Sequence, residues 1–216
     1  DLSHHPYSKH VMNARINPDR LLLNPGEIKS TTVTVNVTDR VPPGGRERQK
    51  IVAIGNGQMS GEIDFITARK LPHPYLVHTP ERWQEVRDKI ENYEWAKKAA
   101  QRYLTHETKD NRPGSRWPYA VAWQISRDKK YAQLAKPGVK FNVGGKDLIQ
   151  ACEIYDMIAD SGVFNNDDHT RINREMRERM HSINLSGVAN LELQEARCGF
   201  TLALASQDFA WFEHFL

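Results

Sequence analysis

The chain of 216 residues is 39% apolar and 26% charged, with a formal net charge of +3 and two cysteines. That composition excludes a disordered or collagen-like chain, and the near balance of charge excludes the concentrated basic excess of a nucleic-acid-binding domain. No apolar run approaches the roughly eighteen residues of a membrane helix, so no membrane span is expected, and two cysteines are too few for a disulfide framework.

The first ten residues, Asp1 to His10, hold three histidines. No further histidine or cysteine follows at ligand spacing, so they are read as an extended lead-in and not as a metal site. From Val11 the texture is that of β structure. Leu21 to Leu23 is a short apolar run closed by the turn Asn24-Pro25-Gly26-Glu27. In Thr31 to Thr38, Val33, Val35 and Val37 alternate with Thr32, Thr34, Asn36 and Thr38, the period of a half-buried strand. After the turn Val41 to Gly45, further strands are predicted over Lys50–Gly55 and Glu62–Ala68. Strands with no intervening helix predict an antiparallel sandwich. Two basic clusters, Arg46 to Lys50 and Arg171 to Arg179, fit either a solvated face or contact with an anionic polymer.

The expected organisation is a β module over 1–70, a linker over 71–78 carrying Pro72 and Pro74, and a helical domain over 79–216. Thr79 is an N-cap residue followed by Pro80, and Trp83, Val86, Ile90 and Tyr93 share one face of a helix running to about Leu104. A polar loop over 106–114 follows. Trp117–Ile125 and Lys130–Leu134 then form a helical hairpin or broken helix, interrupted at Ser126-Arg127-Asp128. Pro137 and three glycines mark Lys136–Gly145 as a loop. Lys146–Ala159 is a strong helix with Leu148, Ala151, Cys152, Tyr155 and Ile158 on its buried face, ended by Ser161-Gly162. Another helix opens at Asn166-Asp167-Asp168 and runs to about His181, burying Ile172, Met176 and Met180. This is a succession of antiparallel helices.

The last helix is predicted over Ala189–Leu216. Ala189, Leu193, Ala196, Phe200 and Leu204 recur as a buried stripe, and Asn190, Gln194, Arg197 and Thr201 recur on a separate polar stripe. The polar stripe either faces water or lines a cleft. Cys152 and Cys198 both lie on apolar faces, where a free thiol behaves as a small hydrophobe, and a single bridge between them stays open. No GxGxxG, HExxH, GxSxG or phosphate-loop motif is present.

The order of residues adds a resemblance. Tyr119-Ala120-Val121-Ala122-Trp123 with Arg127-Asp128-Lys129-Lys130-Tyr131-Ala132 resembles a helix, a turn and the next helix start in α/α-toroid carbohydrate-active enzymes. Ala151 to Gly162 resembles the A-x-x-Y-D-x-x-x-D-S helix of the heparinase II/III-like polysaccharide lyases, followed by an acidic cap at Asp167-Asp168 and an N-x-x-x-Q/N-x-A pattern at Asn190, Gln194 and Ala196. The resemblance covers about Pro74 to Leu216. The β module, with Asn24 to Glu27 and Pro42 to Gly45 as its turns, is similar to the Ig-like accessory modules of secreted carbohydrate-active enzymes.

The resemblance implies a multidomain fold: a small Ig-like antiparallel β-sandwich, then a helical-hairpin (α/α) toroid that is truncated at Leu216. It implies β-elimination on an acidic, uronic-acid-containing polysaccharide of the glycosaminoglycan or alginate kind, without cofactor or metal, in a secreted or periplasmic setting. Such an enzyme must stabilise the enolate-like transition state beside the uronic carboxylate. The resemblance gives that role to Asn190; Gln194 and Arg197, one and two turns along the same face, are candidates for substrate binding, Arg being suited to bidentate carboxylate or sulfate contact, or else they make a surface hydrogen bond or an ion pair with Glu192 or Glu195. It places the proton-transferring groups and a C-terminal β-sheet domain of the same parent chain beyond Leu216. In the family the residue after the asparagine is often His or Trp; here it is Leu191. Two other classes stay open: a glycoside hydrolase using two of Asp156, Asp160, Glu192 and Glu195, and a non-catalytic glycan-binding protein.

Overall fold

The computed structural model describes residues 12–55, 58–183 and 189–214, the side chains of 12–13, 189–192 and 213–214 excepted. The chain divides at Leu71/Pro72 into two compact units, the first of strands and the second of helices. In the first, β1 (Met12–Asn17) pairs antiparallel with β2 (Thr32–Val37), and β3 (Arg46–Gly55) with β4 (Gln58–Ala68), giving two two-stranded sheets. The alternation in β2 has its predicted effect: Val33, Val35 and Val37 are half-buried while Thr32, Thr34 and Asn36 are exposed. The basic stretch Arg46 to Lys50 lies on β3, where Lys50 Nζ meets Glu62 Oε2 across the pair at 3.2 Å.

Arg69, just past β4, closes the turn between β2 and β3. Its backbone N–H donates to Gly45 O at 2.9 Å, its carbonyl accepts from Gly44 N at 2.8 Å, and its guanidinium donates to Val41 O at 2.7 Å. Glycine is required in this turn. Gly44 has φ +77, and a Cβ on Gly45 would come within 2.8 Å of Pro42 O. The leucine run 21–23 forms no strand and stays largely in water, Leu22 being 86% exposed.

The second unit comprises α1 (Pro80–Asn92), α2 (Glu94–Leu104), α3 (Pro113–Ser126), α4 (Lys129–Ala135), α5 (Gly145–Ile158), α6 (Asn166–His181), α7 (Ala189–Ser206) and α8 (Phe209–His214). Several ends follow the sequence signals. Thr79 caps α1, Asp128 caps α4 after a left-handed Arg127, and Gly162 at φ +73 ends the turn that follows α5. Asn165, one residue before the expected cap, opens α6 with a capping box to Asp168.

Two predicted helices are each split. The expected Thr79–Leu104 helix breaks at Tyr93, which is extended at φ −126. The Asn92 side chain donates to Asp88 O at 2.7 Å, a local bond that competes with continued helix, and Tyr93 is 53% exposed. The expected Ala189–Leu216 helix breaks at Gln207, left-handed at φ +55. Gln207 N donates to Leu204 O and Asp208 N to Ala203 O, both at 2.9 Å, the paired bonds of a Schellman ending.

The segment expected to be a linker is tied down from Pro72 onward, within the helical unit. Asp156 of α5 is fully buried, and its carboxylate accepts from His73 Nδ1 at 2.8 Å, Tyr75 N at 2.9 Å and Leu76 N at 2.7 Å. The Tyr75 hydroxyl donates in turn to Leu204 O at 2.8 Å on α7. A carboxylate has no apolar periodicity, so the sequence pattern gave no reason to expect this anchor. The core lies around α5, which packs against α3 and α7 and buries Leu148, Ala151, Cys152, Ile154 and Ile158. Cys152 and Cys198 are both free and buried, and burial pushes both thiols up, so they remain protonated packing groups.

Candidate functional site

The polar stripe of α7 meets the start of α5. Gly144 is the N-cap of α5 and no side chain caps the first turn, which leaves backbone N–H groups for water or an anion. Gly145 has φ +54, and a Cβ there would collide with the Gln194 side-chain nitrogen, so the glycine admits the Gln194 amide over the helix start. Between the two helices lies an open cleft of about 510 Å³ lined by Gly145, Lys146, Ile149, Leu193, Gln194 and Arg197. Helical spacing puts Lys146, Ile149 and Glu153 on one face of α5, and Leu193, Gln194, Arg197 and Thr201 on the facing side of α7.

Neither Lys146 nor Arg197 enters an ion pair among the described residues, and both are exposed. Glu153 interacts electrostatically with Arg197, and its carboxylate accepts from the Trp117 indole N–H of α3 at 2.7 Å. Burial raises the Glu153 carboxyl above its usual range, against the opposing pull of the Trp117 bond and of the Arg197 charge. Since the folded state holds this proton to higher pH than the unfolded chain does, the charged form opposes folding. The penalty is absent below the ordinary glutamate pKa and present in full above the folded value. Glu153→Gln, which keeps an acceptor for Trp117, is therefore expected to raise stability at neutral pH and to lose that advantage in acid. Urea unfolding of both proteins at the two pH values checks this.

The structure brings two of the three expected site residues, Gln194 and Arg197, into one cleft. The side chain of Asn190 lies outside the described residues, and its backbone is in the first turn of α7. The expected apolar stripe of α7 is a correction. Leu193 is 73% exposed and lines the cleft, while the buried face carries Cys198, Leu202, Ala203 and Ala205. The helix is apolar on more than one side, so spacing alone did not single out the face that packing on α5 and α6 selects.

Lys146 and Glu153 were missed because each reads as an ordinary polar position on α5. The glycine pair 144–145 ahead of Lys146 was the available signal. Tyr155 and His181 fall outside the cleft. Tyr155 is buried, its hydroxyl lies 2.9 Å from His169 Nδ1, and desolvation with the nearby Asp160 and Asp156 charges pushes its pKa up to about 12. Among the described residues no group of three His, Cys, Asp or Glu could hold a metal ion, and no helix is long and apolar enough to cross a membrane. No protein-family model matches the chain, and no curated protein or solved structure matches it either.

Proposed function

We propose that the α5/α7 cleft binds the acidic groups of a uronic-acid-containing polysaccharide, as the substrate-holding part of a heparinase II/III-like lyase acting by β-elimination. The observation that carries this reading is the pairing of two cations that form no ion pair among the described residues, Lys146 and Arg197, with the Gln194 amide and the uncapped start of α5 around one open cleft. Each of these groups donates hydrogen bonds or positive potential, and a polyanion supplies what all of them lack. In this reading the strand unit is an Ig-like accessory module, the helices are hairpins of an α/α toroid, and the protein works in a secreted or periplasmic setting.

In the elimination, the donors would hold the uronic carboxylate so that charge developing on it is stabilised as the neighbouring proton leaves. Asn190 in the first turn of α7 is assigned to that carboxylate. Arg197 and Gln194, one to two turns on, would hold the same or an adjacent acidic sugar. Among the described residues the cleft lining contains no Tyr or His to take the proton. In this reading the described cleft residues hold the substrate.

The glycoside-hydrolase reading has less support. Asp156 is fully buried and committed to three donors, and among the described residues the cleft lining holds no Asp or Glu. A retaining or inverting mechanism needs two.

The test is a panel of alginate, heparin, hyaluronan and a neutral glucan, with affinity electrophoresis for binding and ultraviolet absorbance for an unsaturated product. Retardation by the uronic polymers and not by the glucan is expected, weakened by added salt. Equal retardation by the neutral glucan, or none by any polymer, would sink the proposal.

A further inference from the structure

A second cavity, of about 400 Å³, lies in the helical unit between α1, α2 and α3, apart from the α5/α7 cleft. Its origin is local. Where α2 faces the other two helices it presents Ala96, Ala99 and Ala100, while α1 offers Val86 and Ile90 and α3 offers Trp117 and Val121. Three alanines opposite branched and aromatic side chains leave a gap that a close-packed helix pair would fill. Trp83 forms one buried wall, 4% exposed, and its indole N–H has no acceptor among the described residues.

The charge in this groove has one sign. Lys89 and His78 line it and no Asp or Glu does. Lys89 sits in the last turn of α1 and forms no ion pair among the described residues. The volume is at the small end of the ~300–1,000 Å³ typical of small-molecule sites, and an apolar lining with few polar groups is their usual composition.

We infer that this groove binds a medium-chain fatty acid, its hydrocarbon chain against Trp83, Ile90 and Val121 and its carboxylate at Lys89. The apolar walls account for the chain. The uncompensated cation at the edge accounts for the acid. The inference does not rest on the polysaccharide reading, which places no substrate contact on a residue of this groove.

Tryptophan fluorescence reads the site directly, since Trp83, Trp95 and Trp117 all line it. The full chain is titrated with decanoate, and separately with decanol, which has the same chain without the charge, both below their aggregation limits. A saturable change with decanoate is expected, with decanol binding about tenfold more weakly, the equivalent of ~1.4 kcal/mol. Lys89→Gln, at an exposed position, should remove that preference and leave decanol binding unchanged. Ala99→Phe, also at an exposed position, should fill the groove and abolish both responses with the helical circular dichroism retained. Equal binding of decanol and decanoate to the unmodified protein overturns the inference by placing a neutral apolar ligand there. Absence of any saturable change, or a response that survives Ala99→Phe, overturns it as well.

Discussion

Asp156→Ala is expected to destabilise the helical unit by about 3–5 kcal/mol, because it removes the common acceptor of three donors at a fully buried position. The His73 ring and the backbone N–H groups of Tyr75 and Leu76 would be left without their partner. Truncating Asp to Ala also opens a small cavity beneath the 73–76 segment. For a unit of this size the loss corresponds to a fall of roughly 10 °C in the unfolding midpoint. Asp156→Asn keeps one acceptor oxygen and should fall between the two. Thermal unfolding followed by far-ultraviolet circular dichroism measures all three proteins. A shift of under a degree or two for Asp156→Ala would mean that the 73–76 segment is held by its apolar contacts alone.

Arg197→Ala and Lys146→Ala are expected to weaken binding of uronic polymers about five- to tenfold each, and together by about fiftyfold, at low ionic strength. These estimates are those of exposed charges acting on a polyanion, with each factor of ten worth ~1.4 kcal/mol. Both side chains are exposed and form no ion pair among the described residues, so removing them leaves no buried group there unsatisfied, and the unfolding midpoint should not change. Affinity electrophoresis at two salt concentrations supplies the measurement. The loss should shrink as salt is raised, because a Debye length of ~10 Å at 0.1 M already screens exposed charges. If the double variant binds as the unmodified chain does, the α5/α7 cleft is not the contact surface, whatever the chain binds.

Glu153 connects the two results. Its charge faces Arg197 and therefore competes with a bound anion for it. The Glu153→Gln protein made for the stability comparison should bind uronic polymers a few-fold more tightly at neutral pH, an increase that disappears when Arg197 is also removed.

Much of the helical unit was legible in the sequence. Thr79-Pro80, Asp128 and Ser161-Gly162 mark helix boundaries through the local chemistry of caps and left-handed ends, which needs no distant partner. The faces of α5 and α6 were legible for a related reason. On α6, Ile172, Met176 and Met180 form a single apolar stripe opposed by polar residues, so one orientation buries much more apolar surface than any other; on α5 the expected face of Leu148, Ala151, Cys152, Tyr155 and Ile158 is buried, but packing also covers Ile154, Asp156 and Met157 off that face.

Periodicity failed where it had no unique solution or did not apply. α7 is apolar on several sides, and its contacts with α5 and α6 chose Cys198 and Leu202 for the core while turning Leu193 outward into the cleft. Tyr93 and Gln207 break helices whose sequence pattern runs on through them, through single-residue backbone geometries that spacing does not register. The sequence by itself thus determined the alternation of strands, the helix caps and the α7 row that holds Gln194 and Arg197. Tertiary structure alone decided that Lys146 and Glu153 stand near that row, and that Asp156 anchors 73–76. Those relations join residues far apart in the chain, and each depends on how helices pack, which no local pattern of residues encodes.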